Sequence, residues 1–113
     1  MKKRLWHHLL ALPAFIPCVG YAYDHQVGGI YVGMIRAYGN TAGVQAFSRA
    51  DNGPFPGCTN EPGVMWADSA YLTADGRKAL LALLLSAKAQ SASVRIYYTT
   101  ADGYCRFQII ELE

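Results

Sequence analysis

Apolar positions repeat along this chain with two different periods. Between Val27 and Tyr38, Ile30, Val32 and Met34 alternate with other residues in the period-2 pattern of a strand, and Gly33 predicts a bulge or sharp bend inside it. Gly39-Asn40-Thr41 is turn chemistry, so Val44 to Ser48 is expected to return as the second arm of a hairpin. Arg49 to Gly63 shows neither period. It contains Asp51-Asn52-Gly53-Pro54, Pro56-Gly57 and Pro62-Gly63, all turn formers, which predicts a long loop. Loops of about fifteen residues in small domains are either functional or tied down. Val64 to Tyr71 reads as a short third strand anchored by Trp66. Val94 to Thr99 is a further strand with Val94, Ile96 and Tyr98 on one face and Arg95 and Tyr97 on the other. Ala101-Asp102-Gly103 is a hairpin turn into Cys105–Leu112, where strict alternation sets Cys105, Phe107 and Ile109 against Arg106, Gln108 and Ile110.

The helical period appears once, from about Ala74 to Gln90. Thr73 can cap the free N–H groups and Asp75 suits the positive end of the dipole, while Ser91-Ala92-Ser93 ends the run. Ala79 to Leu85 is uninterruptedly apolar. Leu80, Leu83, Leu84 and Ala87 form one face at i, i+3, i+4, i+7, and Leu81 and Leu85 fall partly outside it. Two readings stay open: a helix set deep against a curved sheet, or a contact between copies through Leu81 and Leu85.

The first 22 residues follow another plan. Lys2, Lys3 and Arg4 precede an apolar run from Leu9 to Val19, and Gly20-Tyr21-Ala22 offers small residues for cleavage, the layout of a secretory signal peptide. The run contains Pro13 and Pro17 and is too short for a bilayer span, which needs roughly 20 residues. A buried N-terminal helix is the alternative. Cys18 raises a second one, lipidation, although Pro17 is not the small residue usually found before a lipidated cysteine. Cleavage after Ala22 would leave residues 23–113 as a single domain, secreted or periplasmic. Of ten basic side chains, Lys2, Lys3 and Arg4 would leave, so seven basic against eight acidic gives a net charge near −1. That speaks against nucleic acid as a partner.

Export changes the reading of the cysteines as well. Cys58 and Cys105 survive cleavage, and a pair in a short exported chain is read as a disulfide. Closing a loop of roughly 48 residues stabilises by about 4 kcal/mol on the chain-entropy model. Two free thiols or half of a metal site are the competing readings.

Three strands, a helix and two strands, β-β-β-α-β-β, is the order of the OB-fold, so the expected class is α+β: a small OB-like antiparallel sheet or partly open barrel with one helix. The helix followed by Ser93-Val94-Arg95-Ile96-Tyr97-Tyr98, with Trp66 upstream, resembles the B subunits of subtilase cytotoxin and typhoid toxin over roughly residues 64–98. The resemblance implies an exported, disulfide-containing OB-fold, pentameric assembly and sialylated glycans as ligands. The helix from Ala79 to Lys88, Ala-Leu-Leu-x-x-Leu-Leu-x-Ala-Lys, is also similar to one in short exported bacterial proteins of unknown function. No glycan-contacting residue of the toxin subunits is matched to a position here, so what carries over is fold and export.

The catalytic chemistry expected of common hydrolases is not written into residues 23–113. His25 is the one histidine there, and no Gly-x-Ser-x-Gly, His-Glu-x-x-His or phosphate loop occurs. No metal ligand set and no cofactor motif is legible. Asp68 and Asp75 flank the helix start as dipole partners. Tyr23, Tyr31, Tyr38, Tyr71, Tyr97, Tyr98 and Tyr104 are more tyrosines than so small a core can hold, and tyrosine suits binding faces. Tyr97 and Tyr104, near the last hairpin, are the ligand-binding candidates. The expectation is a non-enzymatic module for a glycan or a protein partner; the alternative is an assembly subunit associating through its helix.

Overall fold

The computed structural model describes residues 23–39, 44–68 and 70–113; the expected signal segment, residues 1–22 with Cys18, and the turn at Asn40 and Thr41 lie outside them. Five strands and one helix follow in the order β1 (His25–Ala37), β2 (Gln45–Arg49), β3 (Val64–Trp66), α1 (Ala74–Gln90), β4 (Ser93–Thr99) and β5 (Cys105–Leu112). The strands form a closed mixed sheet, β1-β2-β3-β5-β4, with β4 returning to β1. Neighbours run antiparallel except for β3 and β5, which are parallel, so the sheet is mixed and closed and not the antiparallel or partly open one expected. The helix between β3 and β4 carries the chain back so that β5 enters beside β3 in the same direction.

Closure depends on β1. Its first half pairs with β4 and its second half with β2, so the strand must coil sharply between them. Two register shifts provide the bend, one between Val27 and Ile30 and one between Val32 and Ile35. Glycine is required at both. Gly29 sits at φ 65°, and a Cβ on Gly33 would lie 2.7 Å from the Arg49 carbonyl oxygen. The second shift also breaks the expected alternation. Ile30 and Val32 are buried, whereas Met34 is 45 % exposed.

The helix covers the sheet along β1 and β5. Thr73 Oγ1 accepts from the Gly76 N–H at 3.0 Å, and Asp75 lies in the first turn. At the other end Ser91 adopts the left-handed conformation, and the Ala92 N–H reaches back to the Ala87 carbonyl at 2.9 Å. Leu84 and Ala87 are buried, with Leu72, Leu80 and Leu83 packed against the same core. They meet Phe47, Met65, Val94, Ile96, Tyr98 and Phe107, all shielded from solvent. Each fully buried large apolar side chain contributes roughly 1.5–3 kcal/mol.

Two strand readings need correction. The third strand ends at Trp66 rather than Tyr71. In β5 alternation fails because Tyr97 pairs with Ile109 but Tyr98 pairs with Phe107, leaving Gln108 as an extra residue in the ladder. Beyond that bulge the faces exchange, so Ile110 is buried and Ile109 half-buried.

A disulfide joins Cys58 to Cys105, with Cα atoms 5.4 Å apart. It ties the long loop to the start of β5. The same loop is held by Phe55, buried against Phe47 and Tyr98, and by the Tyr98 hydroxyl, which donates to the Pro56 carbonyl at 2.6 Å. Among the described residues no helix is long and apolar enough to cross a membrane.

Candidate functional site

The sheet carries a concave face where β3 meets β5, and its residues arrive from five places. Trp66 closes β3, and Asp68 follows it. In the parallel β3–β5 pair Trp66 is opposite Arg106 and Met65 opposite Cys105. Tyr38 and Val44 flank the β1–β2 connection, and Tyr104 ends the β4–β5 hairpin. Two depressions share Trp66 and Asp68. One, of about 240 Å³, is completed by Glu61, Tyr104 and Arg106; the other, of about 310 Å³, by Tyr38 and Val44.

Alternation explains why Trp66 faces outward. Met65 and Ala67 are buried, so Val64, Trp66 and Asp68 belong to the opposite face. The indole is half-buried and stacks on Tyr38, ring centroids 5.8 Å apart and planes inclined by 20°. Its Nε1–H is screened from solvent and has no hydrogen-bond partner among the described residues. Trp66, the apolar anchor expected of the third strand, is thus half-buried in an aromatic platform with Tyr38.

Arg106 organises the polar half. Its Nε and Nη2 donate to Asp102 Oδ2 at 3.0 and 2.6 Å, and Nη1 donates to Asp68 Oδ1. The hydrogen bond from Arg106 holds the Asp102 carboxyl below the usual range, and the same bond raises the guanidinium's pKa. The Arg106 guanidinium also lies 5.6 Å from the Tyr104 ring centroid.

The hairpin is fixed to the long loop. Gly103 has φ 83°, its carbonyl accepts from the Asn60 N–H at 2.9 Å, and a Cβ there would meet Thr59 Oγ1 and Asn60 Nδ2 at 2.7 Å. Asn60 Nδ2 donates to the Asp102 carbonyl at 3.3 Å. These contacts bring Glu61 beside Tyr104. Glu61 has a left-handed backbone, φ 49°, and forms no ion pair among the described residues.

The two tyrosines singled out by sequence are not brought together. Tyr104 lines the depression with Trp66. Tyr97 packs edge-on against Tyr23 at 5.1 Å, and its hydroxyl bonds the Glu111 carboxylate, which raises its pKa. Leu81 and Leu85 also divide: Leu81 is half-buried and Leu85 is 51 % exposed. His25 is committed elsewhere, its Nδ1 to Asp24 at 2.9 Å and its ring stacked on Tyr98. Among the described residues no group of three or more His, Cys, Asp or Glu is placed to hold a metal ion.

Sequence reasoning missed Tyr38, Glu61, Trp66, Asp68 and Arg106 as one site. A signal existed for Trp66, since strict alternation through Met65 and Ala67 puts it with Asp68. None existed for Arg106, which joins them through parallel pairing of segments some forty residues apart.

Compared with known proteins, the chain matches no family model and no curated protein. The site is therefore interpreted from its own chemistry.

Proposed function

We propose that this protein is an exported, non-enzymatic binding module of OB fold that recognises a saccharide on the face around Trp66. The fold reading is supported by the closed order β1-β2-β3-β5-β4 and the helix between β3 and β4. OB-folds bind oligosaccharides and oligonucleotides on the β2–β3 face and the β1–β2 and β4–β5 loops. Tyr38, Val44, Trp66 and Tyr104 occupy those positions. The observation that carries the proposal is the Trp66–Tyr38 stack bordered by Asp68, Arg106 and Glu61. A flat aromatic platform takes the C–H face of a sugar ring, and neighbouring charged groups bond its hydroxyls. The acidic surroundings of Arg106 disfavour a nucleic acid. Export is supported by the signal-like segment and the Cys58–Cys105 bond.

A glycan array with the 23–113 domain tests this reading. Binding is expected, to be lost in Trp66→Ala and Tyr104→Ala and kept in Tyr97→Ala. Loss in Tyr97→Ala alone would move the site to the Tyr23–Tyr97 surface.

A second reading, assembly through α1, is favoured by one observation. Beside Lys78, the exposed side of the helix carries Ala79, Ala82, Leu85 and Ala89, where surface helices usually place more charge. Assembly and saccharide binding are compatible, since these residues line neither depression.

A further inference from the structure

The charge around Trp66 narrows the ligand class, an inference that rests on the saccharide reading above. Among the described residues Arg106 is the cation lining the depression it shares with Glu61 and Tyr104, and none lines the other. Its charge is already engaged: three of its nitrogens donate to Asp68 and Asp102. An arginine that recognises an anion must offer a free pair of parallel N–H groups. Glu61 adds a third carboxylate. One cation against Glu61, Asp68 and Asp102 leaves the site with a formal charge of −2. Arg36 lies nearby, 5.9 Å from the Tyr38 ring centroid, but it donates to the Tyr38 hydroxyl and Met34 Sδ and lines neither depression.

We infer that this face selects uncharged glycans and rejects those carrying carboxylate or sulfate. Carboxylates accept hydrogen bonds and cannot donate them, so the complementary ligand is a donor, and sugar hydroxyls supply that. Glu61 and the outer lone pairs of Asp68 accept from hydroxyls while a ring stacks on Trp66. A sialyl carboxylate or a sulfate in the same place meets like charge at Glu61 and Asp68, with Arg106 already engaged and Arg36 outside both depressions. This is opposite to the ligand implied by the resemblance to toxin B subunits.

The test uses immobilised neutral oligosaccharides, each paired with its sialylated and its sulfated form, probed with the 23–113 domain at low and high salt. Neutral members are expected to bind at least about 10-fold more tightly than their anionic forms at low ionic strength. The gap should shrink at high salt and in Glu61→Gln, which removes an exposed charge without touching the core. An anionic member binding as well as its neutral parent, with Trp66→Ala abolishing both, would overturn the inference and leave the saccharide site standing. Failure of every member to bind would remove the saccharide reading itself, and this inference with it.

Discussion

Trp66 and Arg106 sit opposite one another across the parallel β3–β5 pair, and each extends the other's reach. The indole stacks on Tyr38 from the β1–β2 connection, while the guanidinium ties Asp68, beyond β3, to Asp102 in the β4–β5 hairpin. The ion-pair network thus positions the hairpin that carries Tyr104.

Acid should loosen that hairpin before the core. Arg106 holds the Asp102 carboxyl below its ordinary value, so the folded state favours the ionised form. The resulting stabilisation is complete above the unfolded pKa near ~4 and is lost as pH falls through the lower folded value. Melting curves between pH 2 and 5 should show this slope, flattened in Asp102→Asn. Arg106→Lys should weaken the network by about 1 kcal/mol, because an ammonium lacks the fork that meets two carboxylates. An Asp102→Asn protein with the wild-type slope would show that other groups carry the acid transition.

The disulfide supports the same region from behind. Cys58 and Cys105 are both buried, and the bond closes the long loop onto β5 beside Met65. Replacing either cysteine by alanine should lower stability by about 2–5 kcal/mol in denaturant titrations. Glu61 and Tyr104 should lose their fixed spacing as well, so saccharide affinity should fall even where the domain remains folded. Two alkylatable thiols in protein purified without reductant would contradict the bridge.

The parts legible in the sequence are those fixed by local pattern. Thr73 and Asp75 announce the start of α1, and Val94, Ile96 and Tyr98 announce the buried face of β4, because each signal acts within a few residues. Alternation misleads where a bulge intervenes. Gln108 in β5 and Gly33 in β1 each shift the ladder, and Ile109 and Met34 turn outward as a result. Bulges answer to closure of the whole sheet, which no window of neighbouring residues contains. The site is non-local for the same reason. Tyr104 could be picked out as a hairpin tyrosine, but its neighbours Trp66, Asp68 and Glu61 reach it only through β3–β5 pairing and the contact between Asn60 and Gly103.

Tyr98 makes a prediction at the alkaline end. Burial raises its hydroxyl pKa to about 12. A group whose folded pKa is raised contributes stability that is full below the unfolded value, here near ~10, and lost as pH rises through the folded value. Stability should therefore decline between pH 10 and about 12. Ultraviolet titration should show a late tyrosine phase that coincides with unfolding, distinct from Tyr97, whose pKa the Glu111 carboxylate raises at the surface. Tyr98→Phe should remove that phase and, by losing the bond to the Pro56 carbonyl, cost about 0.5–1.5 kcal/mol. A late phase coincident with unfolding that persists in Tyr98→Phe would assign the shift to another ring.

The helix separates packing from association. Leu84 is buried and Leu85, one residue on, is 51 % exposed, so the two should differ sharply in their response to substitution. Leu84→Ala should cost roughly 2–5 kcal/mol, the range for emptying a core site. Leu85→Ala should change stability by less than about 0.5 kcal/mol in a monomer, as surface positions do. Leu81 is half-buried, so Leu81→Lys would place a charge partly within the fold and is expected to destabilise the single chain. Leu85→Lys is therefore the informative variant. Together with Ala79, Ala82 and Ala89 it forms a short apolar stripe beside the exposed Lys78. Small residues along a helix allow a second helix to approach closely, with Leu85 as the larger contact. If copies associate there, light scattering of the wild-type domain should give a mass above the monomer at micromolar concentration. Leu85→Lys should return it to monomer with an unchanged circular dichroism spectrum. A wild type that stays monomeric at high micromolar concentration would leave Leu85 as an isolated exposed leucine, of the kind soluble proteins commonly tolerate.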